Sequence, residues 1–286
     1  MNGIVIVDKP AGWTSQDVVS KLRGVLKTRR IGHGGTLDPM ATGVLPVFVG
    51  RATRGVEFFE HAEKTYEAVL KLGITTDTED ITGTVLEEKP VSVTAEALEQ
   101  VLERFRGKIT QIPPMYSAIK IGGQKLCDLA RKGKSVERPP REITIFRLEC
   151  TAFSGNTAHL TVHCSKGTYI RTLCKDIGQA LGCGGCMAAL RRVQAGEYTL
   201  AQAVSLPALI EEESPEKYLL PVDSLFAGCE KVTLTAKQEI RCRNGNAFSV
   251  TLPDGSYRAY SPTGEFLMLA QVTGGTMTAV KSFFEV

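Results

Sequence analysis

Residues 32–47, GHGGTLDPMATGVLPV, place one carboxylate in an unusual local order. Gly32, Gly34 and Gly35 permit positive φ and let a foreign backbone come close. Pro39 drives Asp38 toward extended geometry, which restricts where its carboxylate can point. A carboxylate held rigidly at a glycine-lined surface, just before an apolar strand, can serve as nucleophile or base. An ordinary Asp-Pro turn has the same local composition, and the charge distribution separates the two readings. From Val18 to Arg54 there are seven basic residues and one acid, Asp38, a net of +6. From Lys120 to Arg141 there are seven basic residues and two acids, a net of +5. A single basic run is commonly a solvated face. Two runs, one surrounding an isolated Asp, suit a surface that follows phosphates around a reactive carboxylate. Tyr66 and Tyr169 are candidate stacking surfaces for bases, although Tyr66 shares its strand face with aliphatic residues.

Other chemistries lack their residues. There is no G-x-x-x-x-G-K-[ST], no strand–GxGxxG–helix dinucleotide site, no G-x-S-x-G and no H-E-x-x-H. Asp77, Glu79 and Asp80 lack EF-hand spacing and read as a solvated turn. His159 and His163 fall in an alternating strand pattern, where residues four apart are ~13 Å apart and cannot share an ion. The eight cysteines, including Cys183 and Cys186 of one C-x-x-C, read as buried thiols rather than disulfides or zinc ligands. No metal is expected.

The elements that must position Asp38 follow from periodicity. Residues 3–7 (GIVIV) read as a strand, and Ser15 as the N-cap of a helix carrying Val18, Val19, Leu22, Val25 and Leu26. Residues 43–50 read as a buried strand and 65–74 as an alternating one. Thr94 caps a helix with Leu98, Val101, Leu102 and Phe105 inward. Segment 113–141 is a polar, basic excursion with a Gly122-Gly123 turn, followed by strands at 143–149 and 158–164 and a helix near 172–181. An acidic, Pro-bounded connector at 207–217 precedes a segment that reads as all-β. Its turn signals at Asn244-Gly245, Asp254-Gly255, Thr263-Gly264 and Gly274-Gly275 keep the rhythm of a small barrel or sandwich. The chain has 286 residues and a net charge of +3. That small total conceals the two basic runs, because residues 205–230 carry six acids against Lys217. The longest apolar runs fall well short of the ~20 residues that span a bilayer, and the short N-terminal apolar stretch is not that of a signal peptide. A soluble, cytoplasmic protein is expected.

Along nearly its whole length the chain resembles the TruB-type tRNA pseudouridine synthases. The resemblance is carried by VDKPAGWTS (7–15), GHGGTLDPMATGVLPV (32–47), KTYEA (64–68), LGITTDTEDITG (72–83), PPMYSAIKIGGQKLCDLARKG (113–133), CSKGTYIRTLCKDIG (164–178) and LRR (190–192). It implies an α+β pseudouridine-synthase fold over residues 1–222: a mixed, largely antiparallel sheet with flanking helices and a thumb-like insertion at about 113–141. A small PUA-like, RNA-binding β-barrel would occupy 223–286. Residue by residue, Asp38 matches the catalytic aspartate, Tyr66 the tyrosine that stacks on the target base, and Arg171 the arginine paired with the aspartate. His33 matches the histidine that supports the flipped-out RNA, and Leu190 an apolar residue lining the pocket. Lys120, Arg131 and Lys132 are candidate RNA contacts in the insertion, and Lys9 is assigned to the surrounding structure. Gly34 departs from the pattern, since the family often has Thr there.

The implied reaction isomerises the position-55 uridine in the T arm of tRNA. It breaks C1′–N1, turns the base and joins C5 to C1′. No net redox change or group donor is involved, so no cofactor is expected. The partner would be the T-arm stem-loop, with no membrane, no obligatory protein partner and a monomeric enzyme. Rival readings are a guide-RNA-dependent synthase subunit, a tRNA-folding chaperone without essential catalysis, and a thiol enzyme using Cys183 or Cys186. The short N-terminus and the basic insertion favour the stand-alone enzyme over the first. The intact Asp38, Tyr66 and Arg171 set argues against the second, and a lone C-x-x-C is weak support for the third.

Overall fold

In the computed structural model, which describes residues 1–285, the apolar runs become the centre of a ten-stranded mixed sheet. The chain begins with β1 (Gly3–Lys9), α1 (Ser15–Val25), β2 (Ile31–His33) and β3 (Thr42–Val49). A 3₁₀ turn at Gly50–Gly55 and α2 (Val56–Phe59) lead to β4 (Lys64–Leu72) and the hairpin of β5 (Ile74–Thr76) and β6 (Val85–Glu88). Next come α3 (Ala95–Glu103), β7 (Gly107–Gln111), the small hairpin β8 (Lys120–Ile121) and β9 (Gln124–Lys125), and α4 (Leu126–Ala130). Long strands β10 (Arg141–Ser154) and β11 (Thr157–Cys164) precede α5 (Ile170–Ala180) and β12 (Gly185–Ala195). Two short strands, β13 (Tyr198–Thr199) and β14 (Val204–Ser205), and α6 (Leu206–Glu211) close the large unit. The sheet order is β14-β1-β3-β12-β4-β11-β10-β7, with β2 on β3 and β13 on β12. Only β1–β14 and β12–β3 are parallel.

Side-chain alternation explains the different look of the strands. In β1, Val5 and Val7 enter a core under α1, α3 and α5, while Ile4 and Ile6 enter a second core with Phe48, Phe59 and Tyr198. Both faces are covered, so the segment reads as a continuous apolar run. In β4, Tyr66, Ala68, Leu70 and Leu72 are buried and Glu67 is exposed, because only the helix-bearing face is covered there.

Several expectations are corrected. The N-cap of α1 is Thr14, whose hydroxyl accepts from Asp17 N at 3.0 Å in a capping box; Ser15 is buried and bonded elsewhere. Glu79 and Asp80 are buried rather than a solvated turn. The acidic connector is not a free linker: Leu206 and Leu209 of α6 enter the main core, and Leu220 pairs with Ile4 through hydrogen bonds of 2.8 and 2.9 Å. The C-terminal segment is not all-β either. It holds β15 (Glu230–Thr233), α7 (Ala236–Arg243), β16 (Phe248–Ser249), β17 (Gly255–Tyr260), β18 (Phe266–Thr273) and β19 (Thr276–Ser282). Asn244-Gly245 ends α7 instead of turning a hairpin; Gly245, at φ +73°, donates to Cys242 O. The five strands form the curled, PUA-like sheet that was expected, in the order β15-β17-β18-β19-β16.

This module has its own core of Leu234, Phe248, Tyr257, Leu267, Val272 and Met277. It meets the large sheet unit through Phe226, Leu269 and Phe283 against Phe58 and Leu225. Arg54 donates to Ser282 O at 3.0 Å and Arg51 pairs with Glu285 at 3.4 Å. Two members of the first basic run therefore hold the junction instead of facing a nucleic acid. No helix among the described residues is long and apolar enough to cross a membrane.

Gly43 lets β3 and β12 approach. Its φ is +101°, and a Cβ there would lie 2.2 Å from Arg192 O. Gly43→Ala should destabilise the protein by at least about 2 kcal/mol through strain and clash. Denaturant unfolding checks this; a change within about 0.5 kcal/mol would contradict the assigned constraint.

Candidate active site

Asp38 sits in the loop between β2 and β3, and that loop is pinned on three sides. The Ser15 hydroxyl accepts from Leu37 N at 2.8 Å and lies 3.3 Å from Leu37 O. Pro39 O accepts from Gly12 N at 2.8 Å and from Lys9 Nζ at 3.3 Å. Ala41 N donates to Asp38 O at 3.1 Å. Lys9 also bonds Pro10 O and Trp13 O, at 2.9 and 2.6 Å. Burial pushes its ammonium down to about 8, with Asp38 opposing that shift. Its assignment to the surrounding structure fits these contacts.

Arg171, in the first turn of α5, makes a two-pronged pair with Asp38: Nε to Oδ2 at 2.9 Å and Nη2 to Oδ1 at 3.1 Å. The fork geometry fixes the carboxylate plane as a lysine would not. The guanidinium is itself held, donating to Thr78 O at 3.1 Å and to Tyr116 O at 2.8 Å. Asp80 Oδ2 lies 4.0 Å from Nε. The root of α5 is fixed by Gln111, whose Oε1 accepts from Tyr169 N and whose Nε2 donates to Tyr169 O. Burial pushes the Asp38 carboxyl above the usual carboxylate range; Arg171 opposes this and Asp80 adds to it. Asp38 nonetheless keeps 30% of its side chain exposed while Arg171 keeps 6%. The carboxylate thus faces an opening and its counter-ion lies behind it.

The turn carrying Thr78 and Asp80 is locked rather than solvated. Glu79, at φ +64°, accepts from Thr172 Oγ1 at 2.7 Å and from Lys175 Nζ at 2.6 Å, both on α5. Asp80 Oδ1 accepts from the Thr78 and Thr82 hydroxyls and from Thr82 N.

The floor is made by β4 and β12. Leu190 stands opposite Ala68 and Arg192 opposite Tyr66 in the antiparallel register, so Leu190, Arg192, Ala68 and Tyr66 share one face. Tyr66 and Leu190 are buried, so Tyr66 is not the exposed aromatic its type suggested. Burial pushes its hydroxyl up, and the neighbouring Arg192 opposes this. His33 ends β2, paired with Val47. Burial and the positive charge of Arg192 hold its imidazole below the usual range. Its Nδ1 is buried without a partner among the described residues.

The insertion is only partly an excursion. Tyr116 O closes on Arg171, and Leu126 and Leu129 are buried. Lys120, Arg131 and Lys132 are exposed, Arg131 pairing with Asp128 at 3.5 Å. The structure thus gathers Asp38 with Arg171, and Tyr66 with Leu190, and leaves the three basic residues in solvent. Four contributors were missed: Ser15, Gln111, Asp80 and Arg192. Ser15, Asp80 and Arg192 lie in quoted motifs, the signal that could have found them; Gln111 carries no local signal.

Two family models match the chain. The TruB family pseudouridylate synthase N-terminal domain matches residues 23–170, and the tRNA pseudouridylate synthase B C-terminal domain matches 171–227. The chain belongs to the TruB family. It is 45% identical over 283 residues to a tRNA pseudouridine synthase B of Pseudomonas fluorescens (strain Pf0-1), covering 96% of this chain and 92% of the relative. It is 46% identical over 284 residues to one of Azoarcus sp. (strain BH72), covering 97% and 93%. Among solved structures, one titled as a Cbf5-Nop10-Gar1 complex superposes with a TM-score of 0.74 at 26% identity, covering 99% of this chain and 85% of that one.

Gly34 has a local explanation. A Cβ there would lie 2.6 Å from Phe59 and 2.8 Å from Phe48. The two rings fill the place of a side chain, so position 34 supplies no hydroxyl beside His33. Gly34→Thr should destabilise by about 1–3 kcal/mol through overpacking, with partial recovery when Phe59 is also changed to Leu. An unchanged thermal midpoint in the single variant would contradict this packing.

Proposed function

We propose that the protein converts uridine to pseudouridine in tRNA, at position 55 in the T arm, as a stand-alone enzyme. The observation that carries this reading is the two-pronged Arg171–Asp38 pair, in which the guanidinium is buried and the carboxylate partly exposed. The relatives named tRNA pseudouridine synthase B support the substrate class. Their 44–51% identity favours this reading over the guide-RNA-dependent one, which rests on a structural likeness at 26%. The division is placed near residue 222, with 1–222 catalytic and 223–286 an RNA-binding module; the separate C-terminal core of Leu234, Phe248 and Met277 supports it.

Asp38 is the reacting carboxylate. The uridine leaves its stack at a cost of about a few kcal/mol, offset by contact with Tyr66 and Leu190 and by phosphate contacts from Lys120, Arg131 and Lys132. His33 supports the displaced strand. Arg171 keeps Asp38 ionised under the base and orients the carboxylate, which can act on C1′, on C6 or on the 2′ proton. Ionised Asp38 and neutral uridine need no donor group.

Purified protein should release hydrogen from C5 of a single uridine in an unmodified T-arm stem-loop. Asp38→Asn should abolish release while RNA binding stays within about threefold. Binding without release by the unaltered protein would favour the chaperone reading, and substantial release by the variant would remove Asp38 from its role.

The pH dependence has a defined sign. The raised Asp38 pKa means that the ionised form, and with it the rate, is lost as pH falls through a value above the ordinary ~3.9 of an Asp. Arg171→Lys removes the fork and weakens the opposing charge, so the acid limb of the single-turnover rate should move to higher pH. An unmoved limb, measured over about pH 4.5–8, would contradict the pairing role.

A further inference from the structure

Arg192 is buried, with 1% of its surface exposed. Nε donates to Val44 O at 2.7 Å and Nη2 to Gly35 O at 3.2 Å. Both partners are main-chain carbonyls, and Arg192 makes no ion pair with a carboxylate among the described residues. Such a cation is expensive to bury without a carboxylate partner. Its two hydrogen bonds to carbonyls contribute to the fold, but neutral donors could make them, so the retained charge points to a further role.

Its position relative to the site is specific. Val44, the third residue of β3, lies in its buried part just past the Asp38 loop, and Gly35 lies within that loop. Arg192 itself stands beside Tyr66 in the β4–β12 register. The absent side chain at Gly35, φ +93°, leaves its Cα over Arg192 Nη1 and Lys64, with the Cβ position 3.5 and 4.0 Å from them. The charge acts on four titratable neighbours: it lowers His33, Lys9 and Lys64 and opposes the burial-driven rise of Tyr66. Asp38 and Lys64 also face this region, from the loop and from β4.

We infer that Arg192 is a positioning residue for the reaction, clamping the Asp38 loop to the Tyr66 face and keeping a fixed positive charge beneath the uracil ring. The inference rests on the proposed function. When C1′–N1 breaks with the electron pair on uracil, negative charge spreads over N1, O2 and O4. A fixed cation below the ring lowers the energy of that state without any rearrangement. The clamp adds a second effect, because Asp38 and the ring must stay in register within a fraction of an ångström.

The test uses the full chain as Arg192→Met and Arg192→Lys, with an unmodified T-arm stem-loop. Release of C5 hydrogen by the unaltered protein first establishes the underlying function; its absence sinks that reading, not this one. Given release, Arg192→Met should lose on the order of 100-fold in single-turnover rate, with RNA Kd within about threefold. Arg192→Lys should recover only part of the rate, since one ammonium cannot reach both carbonyls in a fixed plane. In the free Met variant, the His33 imidazole followed by NMR should titrate at higher pH. A single-turnover rate within about threefold of the unaltered protein, a loss explained by Kd, or an unmoved His33 midpoint would each overturn the proposal. Should the Met variant not fold, the Lys variant decides: full rate overturns the clamp, and a lowered rate at unchanged Kd supports it.

Discussion

A carboxylate that must react while covered by a substrate base needs a cation that stays with it when water leaves. Burial alone raises the Asp38 pKa and would neutralise it. The fork of Arg171 counters that tendency and also sets the direction of the carboxylate. A buried guanidinium is costly unless its donors are engaged, so the rest of the structure is constrained to engage them. Thr78 O, Tyr116 O, Asp38 and nearby Asp80 surround Arg171. These groups come from the loop after β5, the root of the insertion and the loop before β3. The fold gathers groups 55 to 133 residues away in the chain around one side chain.

This constraint gives a physical role to parts that look incidental. Glu79 adopts a left-handed backbone and ties its turn to α5 through Thr172 and Lys175; without that tie, Thr78 O would not stay beneath Arg171. Ser15 and Lys9 hold the two sides of Asp38 through Leu37 and Pro39. A second buried guanidinium, Arg192, donates to the carbonyls of Val44 and Gly35. Arg171 thus pairs with the carboxylate, and Arg192 ties the loop before β3 to β12.

The legibility of these features differed by physical type. Strands β1, β3, β4 and β11 and helices α1, α3 and α5 follow from hydrophobic period, because one-sided or two-sided burial leaves a period in the chain. Asp38, Tyr66 and Arg171 were legible because their motifs match a family. Ser15 was misread as a cap, because a hydroxyl before an amphipathic run has the same local look whether it bonds its own helix or a distant loop. Glu79 and Asp80 were misread as solvated, since nothing within ITTDTED reveals that α5 packs over it. Arg51 and Arg54 were counted with the nucleic-acid-facing charges, whereas the C-terminal module takes up both.

The amino-acid sequence by itself determined the α+β class, the main elements, the family and the carboxylate proposed to react, because these depend on period, turn chemistry and contiguous motifs. Only the tertiary structure decided which basic residues are engaged internally, what holds Arg171, and why position 34 has no side chain. Those answers depend on contacts between residues far apart in the chain, such as Gly34 with Phe59 and Arg192 with Gly35, which leave no periodic trace in either segment.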